Sequence, residues 1–349
     1  MSDLDNKVTL TVDGLEYGGW KSVQITADLE RQFRTFKLDV TWQWPGQTTV
    51  RRIQPGAPCE VRIGNDLVLT GYVFKAPISY DGRQIGLSIE GSSKTQDLVD
   101  CAATNRPNQW HQQSLLSIVE ALASSYGVAV VSEIPETARL GSHTIVPGET
   151  VFQSIDRLLT LFRVFSTDDA QGRVILARPG SGGRASDVLE LGKNILSASA
   201  PMDYSQVFSE YRVIGQQKGT DQKSGTAASE VEAVSTDLGF KRKRVTVINE
   251  GMQITPELAL QRANWEAATR VGKASATSYQ VQGWRQANGD LWRHNTLVRV
   301  KDPVLEVDGD MLISKVTYSL SAQGSTTTLQ VAPPHTFDAN PAPPKKTSA

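Results

Sequence analysis

Residues 283–300, GWRQANGDLWRHNTLVRV, carry the clearest structural signal in the chain. Residues 288–290 are Asn, Gly and Asp, which favour a tight turn, and apolar residues typical of a strand follow from Leu291. Trp284 and Trp292 flank that turn, so a chain reversal there brings the two indole rings close together. Large aromatic side chains at such positions usually bury most of their surface. We therefore predict a hairpin whose two tryptophans pack in a core and do not stack on a ligand.

Alternating apolar and polar residues extend from this hairpin to both ends of the chain. Residues 312–320 and 327–331 alternate after it, and residues 8–12, 36–42 and 85–89 alternate near the N-terminus. This period of two is typical of strands with one buried face. Turn-forming pairs such as Asp-Gly and Pro-Gly separate the runs. Short strands with such turns favour small barrel-like units.

Between the β regions the apolar period changes to that of a helix. Apolar residues form one stripe over residues 115–126, with Ser114 placed to cap the start and Gly127 just past the end. A second stripe covers residues 152–162. Near the C-terminal β region, Thr255 begins a third helix that continues to about residue 271.

These patterns predict an α+β, mainly β fold with two small β-barrel-like domains, an inserted α+β domain and a flexible C-terminal tail. The predicted units are residues 1–101 as the first β-barrel-like domain, 102–200 as the inserted α+β domain, 201–335 as the second β-barrel-like domain with one helix at about 255–271, and 336–349 as a disordered tail. The polar stretch at residues 215–230 is predicted to be a mobile loop.

Composition excludes several classes of protein. The chain has 36 Lys and Arg residues against 37 Asp and Glu, so its net charge of -1 gives no electrostatic reason for tight nucleic-acid binding. The basic run at residues 241–244 is interpreted as a solvated strand edge. Cys59 and Cys101 cannot form a disulfide framework and are expected to stay reduced, as in the cytosol. Neither a signal-peptide pattern nor a membrane-spanning apolar run is present, so we expect no membrane anchoring.

The sequence contains His, Asp and Gly residues of the kinds found in catalytic and metal-binding sites, but their spacing does not match the motifs of such sites. The histidines are scattered and are interpreted as surface or interface residues; they are His111, His143, His294 and His335. Residues 168–172 contain Asp-Asp and Gly but lack the rest of a calcium loop, so a hairpin turn explains them better. The glycines of residues 180–183 lack the Lys-Ser/Thr of a phosphate loop and are interpreted as turns. We therefore predict no catalytic site, no cofactor and no bound metal.

Two classes of function remain to be compared with this absence. An enzyme that degrades cell walls or glycans needs two carboxyl groups about 5 to 10 Å apart in a cleft. A carbohydrate-binding module needs exposed tryptophans in a row, and the chain has seven tryptophans. No sequence feature identifies either arrangement.

The sequence as a whole resembles the baseplate hub proteins of Mu-like contractile phage tails, a family that is also similar to the hub part of type VI secretion spike proteins. The hairpin carries the most specific match, through Gly283, Trp284, Gly289, Leu291, Trp292 and Asn295. Residues 8–14 with 19–25 are similar to the family's first barrel strands, and residues 69–72 with 94–103 to the exit from that barrel. Residues 115–128 resemble the family's middle domain, and residues 208–213 resemble its re-entry into β structure.

The resemblance implies a structural subunit and not an enzyme. It implies a homotrimeric ring in which two similar barrels per subunit adapt the hexameric tail tube to the trimeric membrane-piercing spike protein. The tail tube protein, the spike protein and the baseplate wedge proteins are the implied partners, and DNA is expected to pass through the lumen during ejection without specific binding. The implied location is the tail baseplate of the virion, after assembly in the host cytoplasm.

Overall fold

A computed structural model describes residues 6–41, 53–80, 85–137, 139–162, 164–216, 230–237, 239, 241–253 and 255–338. Strands make up 46% of the structure and helices 17%. The predicted mainly β, α+β class is therefore confirmed. The predicted loop at residues 215–230 and the predicted tail at residues 336–349 lie mostly outside the described residues.

The elements of the described residues follow one another along the chain in a β-rich order. The strands are β1 (Val8–Val12), β2 (Leu15–Tyr17), β3 (Ser22–Asp28), β4 (Thr35–Thr41), β5 (Pro58–Ile63), β6 (Asp66–Lys75), β7 (Ile78–Tyr80), β8 (Ile85–Ser93), β9 (Gln109–Gln113), β10 (Val130–Ser132), β11 (Leu140–Thr144), β12 (Phe165–Asp168), β13 (Val174–Ala177), β14 (Leu189–Glu190), β15 (Ile195–Ser199), β16 (Glu210–Gln216), β17 (Glu230–Thr236), β18 (Val245–Gln253), β19 (Thr277–Gln282), β20 (Thr296–Asp302), β21 (Val307–Ser321) and β22 (Gly324–Ala332). The helices are α1 (Gln96–Asp100), α2 (Leu115–Ser124), α3 (Val151–Phe162) and α4 (Pro256–Ala274), and a 3-10 helix covers Pro334–Phe337.

One large sheet joins the two β regions of the chain. Its described strands follow the order β15-β19-β22-β21-β3-β4-β8-β6-β5-β1-β2, with β20, β14 and β7 attached beside this path. The junction is the antiparallel pair β3–β21, in register from Asp28 opposite Lys315 to Val23 opposite Leu320. The described strands form no closed barrel, which corrects the barrel-like part of the prediction. The physical reason is that β3 and β21 each pair their edge backbone N–H and C=O groups with the other β region, and not with a strand that would close a barrel.

A single apolar core lies against this sheet. Leu38 and Ile89 from the N-terminal strands are fully buried in the same cluster as Val316 and Leu329 from the C-terminal strands. Sharing one core makes the two β regions interdependent, because neither can expose its apolar face without exposing the other's.

The middle of the chain forms the predicted helix-and-strand layer. Ser114 caps α2 by accepting a hydrogen bond from the Ser117 backbone N–H at 3.3 Å, and Gly127 follows the helix with a φ of +65°. Both predicted helices are confirmed, and their apolar stripes pack together in a second core. Strands β12 and β13 pair antiparallel, so the predicted hairpin turn at residues 168–172 is confirmed.

The segment after residue 200 divides between two sheets. Strands β16, β17 and β18 form a separate three-stranded sheet that packs on α4 around Tyr211, Val213 and Ala259. Of the described strands after residue 200, β19 to β22 join the large sheet. Strands β14 and β15, which the sequence places in the inserted domain, also pair with this sheet. Alternation reveals a strand's buried face but not its partner strand, which explains these differences. The division into domains stays a prediction.

The described C-terminal residues pack on α4. Thr336 is only 2% exposed, so residues 336–338 differ from the predicted disordered tail. A Cβ added at Gly272 of α4 would lie 2.0 Å from the Thr336 Oγ1 atom, so only glycine permits this approach.

Candidate functional site: a buried junction and a polar sheet face

The indole nitrogen of Trp284 is hydrogen-bonded to the large sheet. The side chain is 1% exposed, and Nε1 donates to the carbonyl oxygens of Ser319 and Thr326, each at 3.1 Å. Its ring meets the Tyr318 ring edge to face, with the centroids 6.5 Å apart. Burial with both a hydrogen-bonded nitrogen and an aromatic neighbour is typical of a packing residue.

Trp292 lies beside it and is also 1% exposed. Its backbone N–H donates to the Trp284 carbonyl oxygen at 3.2 Å, and its own carbonyl oxygen accepts from the Tyr318 hydroxyl. The predicted turn is present, with Gly289 at a φ of +91°, but the paired part of this hairpin is an isolated bridge between Arg285 and Leu291.

Asn295 connects the large sheet to the loop after β13. Its Oδ1 accepts from the Gly180 backbone N–H at 2.8 Å, while Nδ2 donates to the Arg178 carbonyl oxygen at 3.1 Å and to the Ser181 Oγ at 3.0 Å. The residue has a φ of +57°, a conformation that asparagine tolerates better than most residues. The sequence placed Asn295 in the motif but gave no sign of these partners.

Asp168 is the centre of a buried ionic contact that sequence reasoning missed. Its carboxylate accepts from Ser93 Oγ at 2.6 Å and from both the backbone N–H and the Nε of Arg34, each at 3.1 Å. Burial raises the pKa of the Asp168 carboxyl, and the nearby charge of Arg34 and the hydrogen bonds act in the opposite direction. Arg34 also donates to the Val68 carbonyl oxygen at 3.1 Å. Strand β12 is thereby attached to the N-terminal half of the large sheet.

The neighbouring residues of β12 are held in the same way. The Thr167 hydroxyl lies 2.9 Å from His294 Nε2, and the Thr167 carbonyl oxygen accepts from Gln32 Nε2 at 3.1 Å. Ser166 donates to the Gln32 side chain at 2.5 Å. We call this set the buried junction; it consists of Gln32, Arg34, Ser93, Ser166, Thr167, Asp168, His294 and Asn295. A cavity of about 330 Å³ adjoins it.

The histidines differ in part from their predicted surface or interface positions. His111 and His335 are exposed, whereas His143 and His294 are buried. His143 Nε2 lies 2.8 Å from the Ser154 hydroxyl, inside the middle layer.

Acid is expected to weaken the buried junction through His294. Burial, followed by the charge of Arg34, lowers the pKa of His294 to about 3, whereas an unfolded histidine titrates near 6.5. Between those values the unfolded chain binds more protons, so stability falls as the pH falls. Between pH 6.5 and 5 we expect the free energy of unfolding of the wild type to fall by about 1.6 kcal/mol more than that of His294→Gln, as measured by urea unfolding. Equal losses in the two proteins would contradict this role.

The other face of the large sheet carries two rows of polar side chains, which we call the polar sheet face. The registers place Gln280, Thr328, Thr317, Thr26 and Thr35 opposite one another in the first row, across β19, β22, β21, β3 and β4. The second row consists of Gln282, Thr326, Ser319, Gln24, Lys37 and Glu90. At about 4.8 Å between strands, the first row is about 19 Å wide. It crosses the β3–β21 pair without a break.

Lysines on the polar sheet face lie beside acidic side chains, and two of them share Glu90. Lys37 and Lys75 lie 3.1 and 3.7 Å from Glu90, and Lys315 lies 3.5 Å from Asp28. Hydroxyl and amide groups fill the first row. The face is therefore hydrated and close to neutral, and it offers no concentrated charge for tight binding of a polyanion.

The structure also bears on the predictions about metal binding, membrane anchoring and the basic run at residues 241–244. Within the described ranges, no three His, Cys, Asp or Glu side chains cluster closely enough to hold a metal ion. Among the described helices, none is both long and apolar enough to cross a membrane. Residues 241–243 are exposed next to the edge strand β18, as the solvated-edge interpretation predicts, while Arg244 packs over the Phe208 ring at 4.8 Å.

Three family models match successive parts of the chain. Residues 7–93 match the N-terminal domain of the Mu phage baseplate assembly protein GpP-like family, and residues 95–178 match the second domain of the baseplate hub protein gp44-like family. Residues 255–340 match the fourth domain of the Mu phage baseplate assembly protein GpP.

Individual relatives agree with these models. The chain is 31% identical to the baseplate hub protein gp44 of Escherichia phage Mu, over 96% of this chain and 89% of that protein. The 43 kDa tail protein of prophage MuSo2 from Shewanella oneidensis is 30% identical, with a TM-score of 0.86 over 95% of this chain and 99% of that chain. The E. coli c3393 protein, a component of the type VI secretion system, shares the fold at 11% identity and a TM-score of 0.55, over 96% and 79% of the two chains.

Proposed function

The chain belongs to the Mu-type family of phage baseplate hub proteins. We propose that three copies close into a ring at the end of the tail tube. The ring adapts the hexameric tube to a trimeric membrane-piercing spike, with the wedge proteins around it. Assembly takes place in the host cytoplasm, before the subunit becomes part of the virion.

The observation that supports this proposal is the continuity of the large sheet. Each subunit contributes two β regions, β1–β8 and β19–β22, which are joined edge to edge through β3 and β21. Three such subunits supply six β regions around one axis, through repeated contacts between unlike surfaces of neighbouring copies. A trimer can in this way present six similar positions to a hexameric tube.

The polar sheet face is the proposed lining of the lumen. Proteins that bind DNA tightly gain affinity by neutralising phosphates with Lys and Arg, and such binding would retard a moving strand. Here the lysines are paired with acids, and Ser, Thr and Gln predominate. A hydrated, nearly neutral wall lets DNA pass without specific binding.

No observation favours the two other functions. The relatives are named as baseplate and tail proteins, and not as enzymes. Of the five tryptophans in the described residues, Trp20, Trp284 and Trp292 are buried and the other two are half-buried, so these five offer no exposed row for a sugar. That the chain lacks catalytic activity stays a prediction, which a peptidoglycan hydrolysis assay with the pure protein tests.

Adding positive charge to the polar sheet face is expected to slow DNA delivery without preventing assembly. Gln24→Lys with Ser319→Lys places two cations on opposite strands of the second row, and a ring of three carries six. Because phosphates bind such a cluster, we expect normal tails with at least tenfold lower infectivity, partly restored at higher salt. Infection assays and electron microscopy of the tails measure this.

The matched control is Glu120→Lys on the exposed side of α2, which changes the charge by the same amount. It should leave infectivity unchanged. Normal infectivity of the double variant in well-formed tails would show that this face does not line the lumen.

A further inference from the structure

A half-open groove of about 380 Å³ lies where α3, α4, residues 29–32 and residues 336–338 meet. Four aromatic side chains line it and are only half-buried: Phe152, Phe165, Trp265 and Phe337. Aromatic-lined grooves of this kind are the surfaces on which proline-rich peptides dock in many recognition domains.

The charges that line the groove sum to -1. Glu30, Asp156 and Asp338 are acidic, and Arg31 and Lys273 are basic. Lys273 is already paired with Glu30 at 2.6 Å. Asp156 is different, because it has no ion pair among the described residues and desolvation raises the pKa of its carboxyl. A cation placed beside Asp156 would therefore meet an unpaired carboxylate.

The described part of the chain ends inside this groove. Trp265 Nε1 donates to the Asp338 carbonyl oxygen at 2.6 Å, which fixes the backbone at that point. The next eleven residues, 339–349, are ANPAPPKKTSA, with prolines at 341, 343 and 344 and lysines at 345 and 346. This segment carries two positive charges and no acidic side chain.

We propose that residues 339–349 of the same chain occupy the groove, with the prolines on the aromatic side chains and Lys345 or Lys346 beside Asp156. A segment rich in proline loses little conformational entropy when it docks in an extended form. At about 3.1 Å per residue, Lys345 can reach about 22 Å from Asp338, enough to cross a groove of this size. The segment then connects α3 to α4. This inference does not depend on the hub function.

The first test is zero-length cross-linking of the full chain with a carbodiimide, which joins a lysine amine to a carboxylate in contact with it. We expect a bond from Lys345 or Lys346 to Asp156, identified by mass spectrometry, and its loss in Asp156→Asn. Mixing isotopically heavy and light protein separates bonds within one copy from bonds between copies. Absence of the bond, or a bond found only between copies, would overturn the proposal.

The second test is the rate at which trypsin cleaves after Lys345 and Lys346. Asp156→Lys replaces attraction by repulsion, and we expect about fivefold faster cleavage at low salt, with a smaller effect at high salt. Glu120→Lys has the same change of charge on a helix away from the groove and should cleave like the wild type. Identical rates in all three proteins would show that the segment does not dock beside Asp156.

Discussion

Trp292→Ala is expected to lower the free energy of unfolding by about 3–5 kcal/mol, the usual cost of truncating a fully buried tryptophan. The side chain is 1% exposed and lines the partly open cavity of about 330 Å³ next to the buried junction, so truncation removes buried apolar contacts and widens that cavity. Urea unfolding measures the loss, and the melting temperature and the assembly of tails should fall together. Trp292→Phe retains most of the apolar contact and should lose clearly less.

A specific outcome would contradict this packing role. If Trp292→Ala melts like the wild type but loses affinity for the spike, the tube or a sugar, the residue belongs to a binding surface.

Arg34→Met is expected to lower the free energy of unfolding by about 3–5 kcal/mol, because it leaves the Asp168 carboxylate buried without its cation. Asp168 is 2% exposed, and Arg34 makes both a side-chain and a backbone hydrogen bond to it. Adding Asp168→Asn to Arg34→Met removes the unpaired charge and should recover part of the loss. Urea unfolding of the two variants at pH 7 measures this difference.

The control for the Arg34→Met variant is Arg62→Met, which removes an exposed ion pair between Arg62 and Glu60, 3.2 Å apart. Exposed pairs contribute about 0–1 kcal/mol. If Arg34→Met is no less stable than Arg62→Met, the buried junction does not hold β12 on the large sheet.

Local elements were predictable because their signals lie within a few residues. The N-cap at Ser114 and the glycine at 127 set the limits of α2, and Thr255 with Pro256 begins α4 where the sequence predicts. Helix α4 extends a few residues beyond the predicted end near 271, to Ala274. Capping and periodicity are properties of short segments, and a single sequence shows them.

The contacts that organise the molecule could not be predicted in the same way. Arg34 and Asp168 are 134 positions apart, and the hydroxyls of Thr26 and Thr317, 3.3 Å apart, are separated by 291 positions. Alternation indicates that Thr26 and Thr317 face away from the core, but only the register shows that they lie in one row. The polar sheet face and the buried junction therefore appear only in the folded chain.

Electron cryo-microscopy of intact tails shows whether the chain forms the proposed ring and which of its faces lines the channel. We expect three copies of the chain in one ring between tube and spike, with Gln24, Thr26 and Thr317 of each copy facing the central channel. A different number of copies, a position outside the tube axis, or a channel lined by another face of the subunit would contradict it.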